Sequence, residues 1–393
     1  MSARREDGAG VLVIVAAEGP GYLYGGVGRH VCEILPRLRR RHRTILVCVP
    51  SYCLAGVPEA CGVAAEAGGD SLILLDPGHV ASLRTHPFDL RRYEDAAERL
   101  MAAVLPHMPS VVDALLLEDH YDTGLALRLA NALQVRRLVA FAHLPLSARF
   151  SYFEKGVDEE RQQVLEAAAL MSAATILVPS EAARRTVGQV YPIPPDRITV
   201  APLGVSIDGI PARLDDRALR IATVGRFTEQ KGWAAWLQVA ELVERGGDAP
   251  IWTLVGEGPR RAHVLERLRQ FVPASRIEWF PRVEPNEALP ALLADSAVFF
   301  LPSAHETFGL AALEAASQGA VPVLGDIAAV AEIWGDAAMV FPLWAPHVAA
   351  AQIAGLLRSQ ELRAAAASRA QLHARRHSWD KHADRLETVC LLE

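Results

Sequence analysis

The chain has 393 residues, of which 51% are hydrophobic and 22% are charged, and its formal net charge is -6. This length exceeds what one hydrophobic core usually supports, so a globular protein with two domains is predicted. The slightly acidic balance argues against a nucleic-acid binder. The five cysteines are an odd number without a C-x-x-C pair. They argue against a disulfide framework and favour a reducing, cytoplasmic setting.

Neither a leader nor a membrane segment is expected. The first ten residues lack the apolar core that a secretory signal requires. No uninterrupted apolar run reaches the roughly 18 residues of a membrane-spanning helix. The sequence gives no indication of an oligomeric state.

Short apolar runs alternate with helical segments through the first half of the chain. Residues 10–16, GVLVIVA, indicate a buried strand by their continuous branched side chains, and a glycine-rich loop and a helix over about residues 27–40 follow. The later runs that predict strands are RTILVCV, SLILL, VVDALLLED, RLVAFAH and ATILVPS. Alternation of this kind predicts a parallel sheet covered by helices on both faces.

A segment rich in Pro, Gly and Asp, residues 197–216, interrupts the alternation, and we interpret it as a hinge. The strand signals then resume with LRIATVG, IWTLVG, RIEWF, AVFFLPS and AVPVLG, separated by helical segments. The last helices are expected over residues 346–373 and 379–392.

The prediction is therefore an α/β protein with two Rossmann-like, doubly wound parallel-sheet domains facing each other across a cleft. Residues 1–205 would form the first domain and residues 206–375 the second. A C-terminal helix in residues 376–393 can cross back to the first domain. Ligands of such sheets bind outside the carboxyl ends of the strands, so the candidate site residues are those that directly follow strands.

Two cations bracket the loop after the first strand of the second domain. Arg226 and Lys231 lie in TVGRFTEQKGW, between a strand that ends at Gly225 and a helix that begins near Gly232. The N–H groups and dipole of a helix N-terminus add to side-chain positive charge, so the pattern predicts a phosphate site. Two solvated loop cations would give the same pattern.

One strand later, LVGEGPRR places Glu257 between Gly256 and Gly258 at a second strand-to-helix turn. Glycines let backbone approach a ligand closely. A turn of this kind needs glycine in any case, so this motif alone favours a structural interpretation.

Two carboxylates flank the Phe-Gly pair in HETFGLAALE, which follows the strand AVFFLPS. A helix is expected to begin near Phe308 or Gly309, with Glu306 ahead of it and Glu314 roughly one and a half turns inside it. Two acceptors with N–H donors between them suit a ligand with hydroxyls at both ends and a phosphate in the middle. Taken alone, the segment favours a plainer interpretation, in which Glu306 complements the helix dipole and Glu314 is solvated.

The first domain offers a glycine loop and a histidine. LYGGVGRH contains Gly25, Gly26 and Gly28 but not the G-x-G-x-x-G fingerprint, and RTILVCV ends without an acidic ribose partner, so a nicotinamide site is disfavoured. A loop that approaches a ligand phosphate stays open. His143 follows the strand RLVAFA, where structural and functional roles are evenly balanced. The cysteines form no pair with the spacing typical of zinc ligands, and no metal is expected.

With these motifs in order, the chain resembles the family 4 retaining glycosyltransferases of the two-domain GT-B type over nearly its whole length. The motifs that carry the resemblance are the glycine loop, His143 after its strand, GRFTEQKG, GEGP, ETFGLAALE and EAASQGAVPV.

The resemblance implies a transferase that moves a sugar from a nucleotide-diphosphate sugar to a hydroxyl acceptor with retention of configuration, without metal or cofactor. A UDP-sugar is favoured and a GDP-sugar stays open. The acceptor could be a small molecule, a glycan or a lipid-linked sugar, in natural-product or glycan biosynthesis. The first domain would mainly bind the acceptor and the second the donor.

Residue roles follow from the resemblance by position. Arg226 and Lys231 would hold the diphosphate. Glu306 would accept hydrogen bonds from donor-sugar hydroxyls, Glu314 would bind the ribose, and His143 would lie against the sugar. These residues, Glu314 excepted, form the implied catalytic set, without a side-chain base. The other implied donor-side residues are Gly25 and Gly26 near the phosphates, Glu257, Arg282 and Val283 near the nucleobase, and Thr307, Phe308, Gly309 and Leu310 along sugar and phosphate.

The acceptor side is a hypothesis from composition. HLPLSARFSYFEKGV is unusually aromatic and charged for a connection, so Arg149 and Phe153 are candidate acceptor-binding residues. Two rival interpretations stay open. One is a catalytically inactive nucleotide-sugar-binding subunit, against which the intact set of site residues weighs. The other is a phosphorylase with lysine-bound pyridoxal phosphate, a class for which the chain is short.

Overall fold

The structure is a computed structural model of the chain. It describes residues 10–20, 25–50, 62–65, 71–75, 90–146, 159–206, 219–284 and 287–392. The described residues fall into two compact units. Of the described residues, the first unit contains those up to Pro202 together with those from Trp379 onward, and the second contains those within Leu203–Ser378.

The first unit is built on an eight-stranded sheet. Its strands are β1 (Val11–Ala16), β2 (Arg43–Cys48), β3 (Gly62–Ala65), β4 (Ser71–Leu75), β5 (Val111–Leu117), β6 (Gln134–Phe141), β7 (Thr175–Val178) and β8 (Ile198–Val200). The spatial order is β3-β4-β2-β1-β5-β6-β7-β8. Neighbouring strands are parallel except for β3, an edge strand that pairs antiparallel with β4. The strand order reverses at β1, which pairs with both β2 and β5.

The position of β1 explains its composition. All six of its side chains are buried. A central strand of a parallel sheet is covered by helices on both faces, so it needs a continuous apolar run rather than an alternating one. The helices of this half of the chain are α1 (Gly26–Arg39), α2 (Leu90–Val104), α3 (Thr123–Ala132), α4 (Glu159–Ser172) and α5 (Glu181–Val190).

The second unit is built on a six-stranded sheet in which all neighbours are parallel. Its strands are β9 (Arg220–Val224), β10 (Ile251–Val255), β11 (Ile277–Phe280), β12 (Val298–Leu301), β13 (Val321–Gly325) and β14 (Met339–Phe341). Their order is β11-β10-β9-β12-β13-β14, so the order reverses between β9 and β12. At such a reversal the loops after the two strands diverge and leave a place for a ligand.

Aromatic residues fill the core of the second unit. Trp236 is fully buried, with its ring 5.1 Å from that of Trp252 and 6.4 Å from that of Phe300. Its indole N–H donates to Thr223 Oγ1 at 2.8 Å, which satisfies the polar atom inside the core. The helices around this core are α6 (Trp233–Arg245), α7 (Arg261–Leu268), α8 (Ala288–Ala294), α9 (Leu310–Ser317), α10 (Ala328–Trp334), α11 (Pro346–Arg358) and α12 (Gln360–Ala374).

The C-terminal helix belongs to the first unit. It comprises α13 (Trp379–Glu387) and a π-helical turn, Thr388–Leu392. Ion pairs join it to α1 and the residues that follow α1: Arg37 Nε lies 2.9 Å from Asp380, and Arg41 Nη1 lies 2.6 Å from Glu387. These contacts give the basic end of α1 acidic partners from the opposite end of the chain.

The predicted hinge is wrong at its start. Residues 198–200, which we assigned to the hinge, form β8 and pair with β7, as in Ile176 opposite Ile198. Ile198 is buried, so this short segment behaves as an edge strand despite the turn-forming residues nearby. The later part of the predicted hinge, residues 207–216, lies outside the described residues.

The single helix predicted over residues 346–373 is two helices. The break falls at Ser359, whose backbone is extended and whose hydroxyl accepts a hydrogen bond from Leu362 N at 3.1 Å. Serine at this position caps the second helix and ends the first one, because its side chain satisfies an N–H that has no helical partner.

Candidate active site

The loops after β9 and β12 bring two predicted site residues into direct contact. These strands are neighbours, so their carboxyl ends meet at one edge of the second sheet. Lys231 Nζ donates to Glu306 Oε1 at 2.6 Å, and Ser303 Oγ donates to the same oxygen at 2.7 Å. The Lys231 and Glu306 side chains are only 14% and 13% exposed. A candidate phosphate-binding cation and a candidate sugar-binding carboxylate thus form one pair.

Backbone contacts fix the distance between these two loops. Ala304 N donates to Gln230 O at 2.9 Å, and the buried Gln230 side chain donates to His305 O at 3.0 Å. Gly232 has φ +68°, and a Cβ there would lie 2.0 Å from Pro302 O. Only glycine permits this approach. Residue 232 must therefore be glycine for the loops that carry Lys231 and Glu306 to approach each other this closely.

Arg226 lies in the same loop as Lys231, and its side chain is exposed. Its carbonyl accepts a hydrogen bond from the Trp233 indole at 3.1 Å, which ties the loop to α6. The next residue, Phe227, donates its N–H to Glu257 O at 2.8 Å. The Glu257 carboxylate is exposed and lies 3.2 Å from Arg261. The backbone of Glu257 thus supports the Arg226 loop, and its predicted contact with the nucleobase stays a prediction.

Helix α9 begins at Leu310, slightly later than Phe308 or Gly309, where we expected it. Gly309 is the N-cap, with φ +81° and ψ 45°. This left-handed conformation strains any residue with a Cβ, so glycine turns the chain sharply into the helix. Phe308 is buried and its ring packs edge-on against His377 at 5.6 Å, which holds the turn in place. The half-buried Thr307 and Leu310 flank the turn.

Glu314 is the fifth residue of α9 and is half-buried. Partial exposure is compatible both with the plainer interpretation of a solvated helix residue and with a ligand contact. Its predicted contact with ribose hydroxyls stays a prediction, as does the contact of Glu306 with sugar hydroxyls.

Arg282 and Val283 follow β11 at the edge of the sheet. They line a cavity of about 570 Å³ together with Phe280, Ala288 and Leu292. None of the residues of the Lys231–Glu306 pair lines this cavity. Of the predicted nucleobase residues, Arg282 and Val283 thus share this cavity, whereas Glu257 does not line it and lies against the Arg226 loop instead.

His143 is part of a buried network at the carboxyl edge of the first sheet. His143 Nε2 lies 2.8 Å from Glu118 Oε2, and His30 Nδ1 lies 2.9 Å from the same oxygen. The Glu118 and His30 side chains are fully buried, whereas that of His143 is 12% exposed. Glu118 directly follows β5, beside the reversal of strand order at β1. The histidine that the sequence presents alone is therefore one end of a chain of contacts.

The electrostatics of this network can be assigned from its geometry. Burial alone would raise the pKa of Glu118, but the charge of His30 and hydrogen bonds from His143 and His30 outweigh burial and lower the pKa from 4.5 to about 2. Burial lowers the pKa of His143, and its hydrogen bond with Glu118 opposes that shift only in part. Glu118 is therefore an anion near neutral pH, and His143 a neutral imidazole.

A third histidine, from the C-terminal helix, extends the network. His382 Nε2 lies 2.6 Å from His30 Nε2, and His382 Nδ1 lies 2.8 Å from Pro202 O. The side chain of His382 is buried, which lowers its pKa well below the usual value. The network thus runs from Pro202 through His382, His30 and Glu118 to His143.

The glycine loop is capped by a carboxylate of the chain itself. Glu18 Oε2 accepts hydrogen bonds from Gly25 N at 2.8 Å and Gly28 N at 3.1 Å. Gly25 is the N-cap of α1, and Gly26 is its first residue. A negative side chain therefore already complements the positive end of this helix. The predicted approach of Gly25 and Gly26 to a ligand phosphate stays a prediction.

Within the described ranges, one group of three side chains offers closely spaced metal-ligand atoms: His30, Glu118 and His143, whose atoms lie within 4.8 Å of one another. Both histidine nitrogens are at hydrogen-bonding distance from one carboxylate oxygen, which is the arrangement of a hydrogen-bonded network. The candidate acceptor residues Arg149 and Phe153 lie outside the described residues.

Sequence reasoning missed five residues of these sites, and only some of them carry a local signal. Glu18 and Glu118 follow β1 and β5 as closely as His143 follows β6, so the rule that ligands bind after strands could have found them. Ser303 stands at the end of AVFFLPS and carries the same signal. His30 and His382 have none, because they lie on helices 352 residues apart in the sequence.

Two family models together match most of the chain. A family model described as Glycosyltransferase Family 4 matches residues 24–208, and one described as Glycosyl transferases group 1 matches residues 211–373. No helix among the described residues is long and apolar enough to span a membrane.

Two relatives and one solved structure illustrate the likeness. D-inositol 3-phosphate glycosyltransferase from Corynebacterium urealyticum is 30% identical over 69% of this chain and 70% of the relative. Alpha-maltose-1-phosphate synthase from Mycolicibacterium smegmatis is 25% identical over 83% of this chain and 82% of the relative. A UDP-forming α,α-trehalose-phosphate synthase from Burkholderia xenovorans, solved with glucose-6-phosphate, shares the fold with TM-score 0.73 and 15% identity. That alignment covers 97% of this chain and 100% of the other. The chain therefore belongs to the family 4 glycosyltransferases of the GT-B type.

Proposed function

We propose that this glycosyltransferase uses a nucleotide-diphosphate sugar, with UDP-sugar favoured, and transfers the sugar to a hydroxyl acceptor with retention of configuration and without a metal. The observation that carries the proposal is the contact between Lys231 Nζ and Glu306 Oε1, 2.6 Å apart at the point where strand order reverses. In a nucleotide sugar the diphosphate is bonded directly to the sugar. A cation that binds the diphosphate and a carboxylate that binds the sugar hydroxyls should therefore be neighbours, as Lys231 and Glu306 are.

Positive charge at the leaving group supports the chemistry. Departure of the nucleoside diphosphate from the anomeric carbon concentrates negative charge on the phosphate oxygens. Lys231, Arg226 and the N-terminus of α9 at Gly309 are cationic or partly positive groups at the same edge of the sheet. Positive groups that are already in position stabilise the negative charge that develops in the transition state. One such group typically lowers the activation barrier by about 2.7–4 kcal/mol. Side-chain cations then take the part that a metal ion plays in other transferases.

Glu306 would act as a hydrogen-bond acceptor rather than as a proton-transfer group. Its Oε1 already accepts hydrogen bonds from Lys231 and Ser303. A carboxylate beside an ammonium group has further lone pairs with which to accept hydrogen bonds from hydroxyls. Retention would follow a front-face course in which the leaving phosphate helps to take the acceptor proton.

Glu314 and the cavity after β11 complete the proposed donor site. Glu314, half-buried on α9, would accept hydrogen bonds from the ribose hydroxyls. Arg282 and Val283 would contact the nucleobase from the cavity of about 570 Å³. The preference for uridine is supported by the solved trehalose-phosphate synthase of the same fold, which is a UDP-forming enzyme. The cysteine pattern makes the cytoplasm the proposed compartment.

The acceptor is proposed to be a polyol or sugar with a phosphate group. One relative is called a glycosyltransferase of D-inositol 3-phosphate, and another a synthase of maltose-1-phosphate. The proposal predicts that inositol 3-phosphate or glucose 1-phosphate supports transfer better than the same molecule without phosphate.

A thermal-shift screen followed by a transfer assay tests the proposal. UDP, GDP, ADP and dTDP sugars are compared for the rise in melting temperature, because a ligand that binds the native state stabilises it by mass action. The donor that gives the largest rise is then incubated with the phosphorylated and unphosphorylated acceptors, with and without a chelator. Proton NMR of the product, compared with the donor, gives the anomeric configuration.

The outcomes separate the proposal from its rivals. Transfer with retention, unaffected by chelator, supports it. Binding of a nucleotide sugar without hydrolysis or transfer would identify an inactive binding subunit. Visible absorbance from a lysine-bound pyridoxal phosphate would identify a phosphorylase.

A further inference from the structure

The buried network that ends at His143 needs one more proton than its neutral groups carry. Four hydrogen bonds link it, and each needs one proton: Pro202 O to His382 Nδ1, His382 Nε2 to His30 Nε2, His30 Nδ1 to Glu118 Oε2, and Glu118 Oε2 to His143 Nε2. Three neutral imidazoles supply three protons, and an ionised carboxylate supplies none. The fourth proton must be bound inside the network.

The position of each proton follows from the two ends of the hydrogen-bonded network, which are Pro202 and His143. The carbonyl oxygen of Pro202 can only accept, so His382 Nδ1 carries a proton and its Nε2 is the acceptor. The contact of 2.6 Å between the two Nε2 atoms then requires a proton on His30 Nε2. At the other end, Glu118 Oε2 accepts from both sides, so His143 carries its proton on Nε2.

The fourth proton therefore lies between His30 Nδ1 and Glu118 Oε2, 2.9 Å apart. With Glu118 ionised, His30 is an imidazolium, and the four side chains together carry no net charge. Burial of isolated charges is costly, whereas a hydrogen-bonded pair of opposite charges is tolerated. Both side chains are fully buried, so solvent does not compete for this proton.

We propose that the His382–His30–Glu118 chain is a positioning device that holds His143 as the neutral tautomer protonated on Nε2 during glycosyl transfer. The neutral ring then carries no proton on Nδ1, so any hydrogen bond that His143 makes through that atom is one that it accepts from a donor such as a hydroxyl. The stacked ring of Phe141, 4.0 Å away with an interplanar angle of 9°, fixes the plane of His143.

The C-terminal helix is the outer end of this device. His382 lies on α13, the same helix that forms the Asp380–Arg37 ion pair with α1. Residues at the end of the chain thereby set the protonation of a histidine near its middle. His382 is a positioning residue because it acts through His30 and Glu118. The inference rests on the proposed function only for its effect on turnover.

Nitrogen-15 NMR of histidine-labelled protein tests the protonation states directly. One-bond and two-bond couplings between nitrogen and ring protons distinguish the two tautomers and the imidazolium. Signals are assigned by their loss in His143→Asn and His30→Asn. Near pH 7.5 we expect His143 to be protonated on Nε2 alone and His30 on both nitrogens. A His143 protonated on Nδ1, or a His30 with one protonated nitrogen, would overturn the proposal. So would a bound metal ion on these nitrogens.

Kinetics with graded variants test the effect on catalysis. His382→Phe should lower kcat by roughly 10-fold, and Glu118→Gln by up to about 100-fold, by analogy with the losses seen when the hydrogen-bond partner of a metal-binding histidine is removed. Donor KM should change less than about 3-fold, because the geometry rather than the contact is affected. In His382→Gln the amide oxygen can accept from His30, so this variant should recover most of the activity and the His143 tautomer.

The matched control is Asp380→Asn, which removes an α13–α1 contact without touching the network. Its kcat and its His143 tautomer should equal those of the wild type. A loss of kcat in Asp380→Asn equal to that in His382→Phe would assign the effect to loosening of α13 and overturn the positioning role. If NMR gives the expected protonation states of His143 and His30 but no donor supports transfer, the proposed function is wrong and the inference about protonation is retained.

Discussion

Replacement of Lys231 by methionine separates the two roles that the structure gives this lysine. Lys231 Nζ lies 2.6 Å from Glu306 Oε1, and both side chains are largely buried. Methionine keeps most of the length of the lysine side chain but removes the ammonium group. Glu306 then keeps only the hydrogen bond from Ser303 at Oε1 and loses its counter-charge. We expect this loss to cost about 1–3 kcal/mol of unfolding free energy, the penalty for a partly buried ionic group without its partner.

The same substitution should weaken nucleotide binding for a separate reason. A hydrogen bond to a charged group contributes about 1.5–3 kcal/mol. At about 1.4 kcal/mol per factor of ten, the Kd for the nucleoside diphosphate should rise roughly 10- to 100-fold. Turnover should fall by about 10²-fold or more, because the stabilised charge grows in the transition state.

A double-mutant cycle with Glu306→Gln distinguishes the two effects. Glutamine carries no charge that needs a counter-charge, so the double variant should recover most of the stability that Lys231→Met loses. It should not recover nucleotide affinity, since the phosphate contact is still absent. Six of the seven tryptophans lie in the second unit, so fluorescence during urea unfolding reports on the unit that contains the pair. Calorimetry with the preferred nucleoside diphosphate gives the Kd.

The cycle also shows what would contradict this reasoning. A Kd for Lys231→Met within about 2-fold of the wild type would remove Lys231 from the diphosphate site, since loss of even one weak hydrogen bond to a charge exceeds this factor. If Glu306→Gln restored both stability and affinity, the lysine would act only by holding the carboxylate.

Three further predictions concern α9 and the buried network. Gly309→Ala and Gly247→Ala each introduce a Cβ at a positive φ, +81° and +83°, where no other atom lies within 4 Å. Each substitution should lower the free energy of unfolding, measured with urea, by about 1 kcal/mol because of backbone strain. Only Gly309→Ala should also weaken donor binding, measured by calorimetry. Equal donor affinities in the two variants would remove the start of α9 from the site. Glu314→Gln should mainly raise donor Kd, whereas Glu306→Gln should also lower kcat, and equal kinetic effects would contradict this division. Burial, followed by the charge of His30, lowers the pKa of His382 in the folded state. The contribution of neutral His382 to the free energy of unfolding is therefore complete above about pH 6.5, and it is lost as the pH falls below that value. The melting temperature should therefore fall between pH 7 and 5, and should fall less in His382→Phe; equal slopes would show that His382 does not titrate in this way.

Much of the fold could be predicted because strand burial leaves a local pattern. The continuous run of β1 indicates a central strand, and its bounds agree with the structure to within one residue. Positions of Arg226, Lys231 and Glu306 after strands followed from the same pattern. The hinge was wrong at β8 because an edge strand of three residues gives too short a signal among prolines and glycines.

The contacts between site residues could not be predicted from local patterns. Lys231 and Glu306 are 75 residues apart, and their ion pair depends on the adjacency of β9 and β12, which strand order decides. His143 looked like a lone histidine for the same reason: its partner Glu118 lies across the pairing of β5 and β6.

The sequence by itself determined the two α/β units, the loops that carry charge after strands and the glycine at the start of α9, because each depends on residues close together in the chain. Only the tertiary structure decided which of those charges meet. Glu18 caps α1, Glu306 pairs with Lys231, and α13 brings His382 to His30 across 352 residues. The reason is physical: a hydrogen bond or ion pair acts over about 3 Å, and sheet order and helix docking, rather than sequence spacing, bring groups within that distance.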